Sequence, residues 1–131
     1  MSYGRQATRY REMEVLSASP GQLVVMLYDH MLVSLRRARV AMQDRDYEQR
    51  GEQLERARSV LTELLVTLDR ERGGAVAENL AALYTFILGE LVQVGVVGDE
   101  ARLDRVIQMI AELREAFSQI AVPDAAAARS A

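Results

Sequence analysis

The sequence predicts an all-α protein, an antiparallel up-down-up-down four-helix bundle with a flexible N-terminal arm. Apolar residues recur at intervals of three and four in four separate blocks, the spacing of one helix face. Short polar or glycine-containing links join the blocks, which favours antiparallel neighbours. Strict apolar–polar alternation is absent, and valine pairs such as Val96-Val97 are too short for a strand.

Residues 1–18 carry no sustained period and read as a loosely held arm, in which Val15 and Leu16 can dock as a staple against the first helix. Helix one opens at Ser17-Ala18-Ser19-Pro20. Ser19 is a good N-cap, Pro20 falls at the first helical position where its missing N–H costs nothing, and Gln22 can close a capping box. The helix runs from about Pro20 to about Met42 on the stripe Leu23, Leu27, Met31, Leu35, Ala38, Met42, widened by Val24, Tyr28 and Leu32. Its first part, Leu23 to Tyr28, is apolar all round, more than one core face needs.

Asp44-Arg45-Asp46 breaks the pattern, and Asp46 with Gln49 marks the next N-terminus. Helix two spans about Tyr47 to Leu68, with Leu54, Ala57, Leu61, Leu64 and Leu68 stepping as a heptad seam. Asp69 to Gly74 is the clearest loop, with paired glycines as breakers. Helix three spans about Ala75 to Val94. Its stripe is Val76, Leu80, Leu83, Ile87, Leu91 and Val94, and Tyr84, Phe86 and Leu88 make it apolar on more than one side. Gly95 and Gly98 end it. Asp99 caps helix four, which runs on Leu103, Val106, Ile110, Leu113, Phe117 and Ile120 until Pro123 stops it. The domain reading is therefore an arm (1–18), a bundle (19–122) and a disordered C-terminal tail (123–131).

With 131 residues, half of them hydrophobic, the chain suits one globular domain. No apolar run approaches the roughly 20 residues that cross a membrane, so no membrane insertion is expected. The N-terminus lacks a signal-peptide pattern, and the protein reads as cytoplasmic. The absence of cysteine fits that reading and removes disulfides, thiol catalysis and Cys-ligated metal. A net charge of −3 predicts no general affinity for nucleic acid. Every basic residue is Arg, which removes catalytic-lysine chemistry.

Catalytic constellations are missing. A di-metal bundle needs Glu-x-x-His on two helices, and the lone histidine, His30, has Leu27 three residues before it. No strand–turn–helix exposes a serine nucleophile, and Gly73-Gly74 has no following Lys for a phosphate loop. The expectation is no enzyme, no cofactor and no metal. Arg36, Arg37 and Arg39 read as a solvated face. Two readings of the surplus apolar surface remain, a face kept for a partner and a bundle that self-associates as an adaptor.

Specific motifs then stand in order along about residues 10–120. They are Tyr10, Ala18-Ser19-Pro20-Gly21-x-Leu23, Met26-Leu27-Tyr28-Asp29, Asp46-Tyr47-Glu48, Ala57-x-x-Val60-Leu61-x-Glu63-Leu64-x-x-Thr67-Leu68-Asp69, Gly73-Gly74, Asn79-Leu80-x-x-Leu83-Tyr84 and Leu113-Arg114-x-Ala116. This ordered set resembles the flagellar export chaperone FliS family. Departures are Gln53 where the family often has Asn, Val94-Gly95 for Ala-Asn, and Phe117 for a frequent Trp.

The resemblance implies a cytoplasmic helical bundle that binds the disordered C-terminal segment of flagellin, blocks its premature polymerisation and delivers it to the export gate of the flagellar type III apparatus. A weak homodimer is a further partner expectation. The surface expected to hold the client combines Tyr10, Leu16, Pro20, Leu23, Val24, Met26, Leu27, Tyr28 and Met31 with Leu80, Leu83 and Tyr84, since helices one and three are the ones with surplus apolar faces. Methionines give such a surface adaptable contacts. The arm bearing Tyr10 and Leu16 can cover the groove until the client displaces it. Tyr10→Ala is expected to leave the melting temperature unchanged while altering client binding; a loss of stability as large as that of Leu27→Ala, read by circular dichroism, would place the arm in the core instead.

Overall fold

The computed structural model describes residues 20–130, with side chains over 20–120. The arm with Tyr10 and Leu16, and the Ser19 cap, lie outside the described residues. Pro20 begins the first helix, as its fixed φ and missing N–H favour. Four helices make up the described residues: α1 (Pro20–Gln43), α2 (Tyr47–Val66), α3 (Arg70–Val97) and α4 (Glu100–Ser130).

Each of the three links ends in an aspartate that caps the helix after it. The Gln49 amide donates to Asp46 Oδ1 at 3.2 Å, the Arg72 amide to Asp69 Oδ1 at 3.1 Å, and the Arg102 amide to Asp99 Oδ1 at 3.1 Å. Each bond satisfies one of the unpaired donors of a first turn. Gly98 closes α3 in the left-handed conformation, φ 74°, with its amide donating to the Val94 carbonyl.

Neighbours in sequence are neighbours in space. α1 packs against α2 and α4, and α3 completes the ring, with its contact to α4 the least extensive of the four. Two ion pairs give the direction of α1 against α4: Asp29 meets Arg114, and ten residues further along α1, Arg39 meets Asp104, ten residues earlier in α4. The chain is thus an antiparallel four-helix bundle. Its core is built from Tyr28, Met31, Leu35 and Ala38 of α1, Leu54, Ala57, Leu61 and Leu64 of α2, Tyr84, Ile87, Leu91 and Val94 of α3, and Leu103, Val106 and Ile110 of α4. These are the residues at three- and four-residue spacing in the sequence.

Several boundaries differ from expectation. Asp69 to Gly74 is not a plain loop: Asp69 caps one helical turn, and the chain breaks at Gly74 (φ 52°, ψ −128°) before the main run of α3. Both glycines are required there. A Cβ at Gly73 would stand 2.6 Å from that of Ala77, and Gly74 has the positive φ that side chains disfavour. Helix α3 also passes through Gly95 to Val97, because the Gly95 carbonyl accepts from Arg50 Nη2 at 3.1 Å, a cation placed where a helix C-terminus favours one. The backbone of α4 continues through Pro123 to Ser130, past the expected stop near Ile120, into an alanine-rich run of high helix propensity.

One helix bears on the expectation that no apolar run approaches membrane-spanning length. By length and composition α3 is long and apolar enough to cross a membrane. The charged residues of its N-terminal turns and of Glu90 break the run when residues are read one by one, but not when a whole window is averaged. In the bundle, one side of α3 is core and much of the rest is apolar surface, and a helix apolar on both sides passes the same test.

Burial separates two leucines of the α1 stripe. Leu35 is fully enclosed, whereas Leu27 is only partly buried. Leu35→Ala is expected to cost about 2–5 kcal/mol and Leu27→Ala clearly less, because a partly open site leaves a smaller cavity. Urea denaturation of both variants checks the order; equal losses would mean that Leu27 is core.

Candidate partner-binding surface

In an antiparallel bundle, the N-terminal halves of α1 and α3 lie at the same end as the C-terminal halves of α2 and α4. Burial is uneven between the two ends. At one end every helix contributes enclosed side chains, from Leu32 to Met42, Leu54 to Leu61, Ile87 to Val94 and Leu103 to Ile110. At the other end the apolar side chains are mostly half-buried: Leu23 to Leu27 on α1, Leu65 and Leu68 on α2, Leu80 and Leu83 on α3, Leu113 and Phe117 on α4. Val66, Val76 and Ile120 stand fully exposed among them. The cause is local composition. An apolar run wider than one stripe places side chains on every side of its helix, and the bundle interior can enclose only one of those sides.

The two ends meet at a cross-brace. The Tyr28 and Tyr84 hydroxyls hydrogen-bond to each other across the core, joining α1 to the diagonally placed α3. Phe117 of α4 packs on Tyr28 with ring centroids 5.4 Å apart and planes at 38°, within the range of favourable aromatic pairs. Next to it, Arg114 grips Asp29 with two bonds, Nε to Oδ1 at 2.8 Å and Nη2 to Oδ2 at 3.3 Å. Burial pushes both phenols above the ordinary tyrosine range. For Tyr28 the bond to Tyr84 adds to that rise; for Tyr84 the bond to Tyr28 works against it.

The closed end is laced by charge instead. Arg39 Nε meets Asp104 Oδ1 at 2.8 Å, and Arg102 Nη1 meets Glu90 Oε2 at 2.7 Å. Exposed pairs of this kind add little stability each, so the enclosed apolar layers carry that end.

The residues expected to hold a partner divide into three groups. Tyr10 and Leu16 lie outside the described residues. Pro20 is exposed, and Leu23, Val24, Met26, Leu27, Leu80 and Leu83 are half-buried at the open end. Tyr28, Met31 and Tyr84 are 0%, 0% and 1% exposed. In this conformation they are core, not exposed surface. Sequence reading did not single out the half-buried apolar ends of α2 and α4. The signal was present in Leu65-Val66, which thickens the helix-two stripe at its end, and in the terminal Phe117 and Ile120 of helix four. Elsewhere on α3, Phe86, Val92, Val96 and Val97 leave an exposed apolar face.

His30 is exposed. Among the described residues no group of three or more His, Asp or Glu is placed to hold a metal ion. The arrangement presents apolar surface.

Removing one hydroxyl of the tyrosine pair leaves the other buried without a partner. Tyr28→Phe and Tyr84→Phe are each expected to cost about 1–3 kcal/mol, and the double variant no more than either. Both phenols stay neutral in the folded state, while unfolded tyrosine ionises near pH 10. Stability is therefore complete below about pH 10 and falls as pH rises beyond it, and the double variant flattens that fall. Denaturation at a series of alkaline pH values checks this; an unchanged slope in the double variant would contradict it.

The family model described as "Flagellar protein FliS" matches residues 3–124. The chain is 36% identical over 110 residues to "Flagellar secretion chaperone FliS" of Salmonella typhimurium, covering 83% of this chain and 82% of that protein. It is 37% identical over 102 residues to the protein of the same description in Campylobacter jejuni, covering 78% and 80%. With that of Bacillus subtilis it shares 31% over 112 residues, covering 86% and 83%.

Proposed function

Because the chain belongs to the FliS family of flagellar proteins, which is not an enzyme family, we propose that it is a cytoplasmic chaperone that binds the C-terminal segment of flagellin, blocks its premature polymerisation and hands it to the flagellar export gate. The observation that carries this reading is the half-open end of the bundle, where all four helices present partly buried apolar side chains.

An amphipathic segment is held by apolar grooves that take anchors at helical spacing. The seams between the N-terminal half of α1, the C-terminal half of α4 and the start of α3 have that form. Leu23, Val24, Met26 and Leu27 line one side, Leu80 and Leu83 another, and Leu113 and Phe117 complete it. A client that is disordered when free loses conformational entropy on binding, so it must bury a large area for even moderate affinity. An end built from all four helices supplies area, whereas one groove would not. While the client is held, its own apolar residues are covered, which prevents self-assembly without any chemistry on the chain. Tyr10 and Leu16, ahead of α1, are well placed in sequence to reach the same end.

Mixing the full chain with a flagellin C-terminal peptide is expected to give an equimolar complex with a gain in helix signal. Val24→Asp and Leu83→Asp place charge at half-buried positions and are expected to weaken capture by about tenfold or more. Calorimetric titration with circular dichroism measures both; no complex at micromolar concentration would overturn the reading.

A further inference from the structure

We propose that the outer side of α3 is a docking face for a helix of a second protein, one with an apolar heptad seam and basic flanks. The face lies on the far side of α3 from the core, apart from the surface proposed for the client, and stands or falls independently of it.

Helix α3 carries two rows of residues at helical spacing. The inner row, Ala77, Ala81, Tyr84, Ile87, Leu91 and Val94, is buried. The outer row is Ala82, Phe86, Gly89, Gln93 and Val96, which step by four, three, four and three. A helix turns about 100° per residue, so Phe86 stands about 200° around from Tyr84. The outer row is open to solvent throughout. Phe86 is 54% and Val96 76% exposed, and Ala82, Gly89 and Gln93 are exposed with them. Val92 and Val97, also exposed, widen the row on either flank. Single exposed apolar residues are ordinary surface, but a contiguous strip of them marks an interaction site.

Spacing and charge together select the occupant. Strict alternation of four and three is the register in which a second helix packs, knobs into holes. Gly89 stands in the middle of the row. A Cβ there would meet nothing within 4 Å, so the packing of the bundle does not call for glycine, and glycine inside a helix lowers its stability. On this row it lets a second backbone approach closely. Gln93 is the single polar member beside it, the kind of residue that fixes register and partner in such a seam. The charge of α3 here has one sign. From Ala75 to Gly98 its charged residues are Glu78 and Glu90, and Asp99 and Glu100 follow. Glu90 is met by Arg102 at 2.7 Å, whereas Glu78 is in no ion pair among the described residues. On the neighbouring α2, Arg58 is held by Glu55. A helix with basic flanks therefore fits, and an acidic one meets repulsion. An anionic lipid surface attracts faces edged with Lys and Arg, which α3 does not offer.

The probe is a synthetic three-heptad peptide with leucine at a and d, lysine at e and g, and alanine elsewhere; its counterpart carries glutamate at e and g. Calorimetric titration of the full chain with the lysine peptide is expected to give an equimolar complex, and with the glutamate peptide one weaker by about tenfold or more. Phe86→Asp and Gly89→Gln should each weaken capture of the lysine peptide about tenfold or more, and Glu78→Lys about threefold, while Val24→Asp at the open end leaves it unchanged. Gly89→Gln is also expected to raise the melting midpoint in circular dichroism, which separates loss of the face from loss of the fold. No complex at micromolar concentration, equal capture of the two peptides, or capture lost in Val24→Asp and kept in Phe86→Asp overturns the proposal. So does Phe86→Asp abolishing flagellin-peptide binding, flotation with phosphatidylglycerol vesicles, or a dimer seen in sedimentation, which would make the client, a membrane or a second copy the occupant.

Discussion

The bond between the Tyr28 and Tyr84 hydroxyls decides where this bundle is closed. Two phenols buried together must satisfy each other, because an unpaired hydroxyl in a core costs as much as several methylenes gain. Their meeting holds α1 and α3 at a fixed separation across the diagonal, and Phe117 and the Arg114–Asp29 grip bring α4 to the same level. On one side of this brace the four helices pack side chains of ordinary core type to full enclosure. On the other the stripes continue, but apart from Leu64, Ala77 and Ala81 their side chains are mostly only half-buried.

In the proposed role, that division lets one small protein meet two opposed demands. A stable fold requires apolar side chains to be enclosed; a surface that captures a disordered segment requires them to be reachable. Here the layers from Leu32 to Met42 and their counterparts hold the fold, with α1 packed most closely against α2 and α4. The half-buried end leaves an apolar patch that a free protein must tolerate. Helix α3, the less extensively packed one, is apolar on both its core side and much of its outer side, which is why it passes a test meant for membrane spans.

Much of the fold was legible in the sequence because it rests on local rules. Three- and four-residue spacing marks the helices, and Asp46 and Asp99 announce their caps three residues ahead of the amides they receive. The failures have tertiary causes. Gly95 reads as a helix end, yet Arg50 from α2 donates to its carbonyl and the helix goes on. Gly73-Gly74 reads as an open loop, yet Asp69 and the approach to Ala77 make it a turn and a break. At the site, spacing identified the surplus on α1 and α3. It could not separate Tyr28, Met31 and Tyr84, which are core, from Leu23, Val24 and Leu83, which are half-buried, because that depends on which tyrosine meets which across 56 residues of chain. The half-buried ends of α2 and α4 escaped because each looks like the end of an ordinary stripe.

Hydrogen exchange on the chain alone and saturated with a flagellin C-terminal peptide tests the division most directly. If the half-open end is the client surface and the brace its floor, protection rises across residues 24–27, 80–83 and 113–117 and stays unchanged across 32–42 and 87–94. Protection gained only at the closed end, or lost around Tyr28 and Tyr84 on binding, would contradict it.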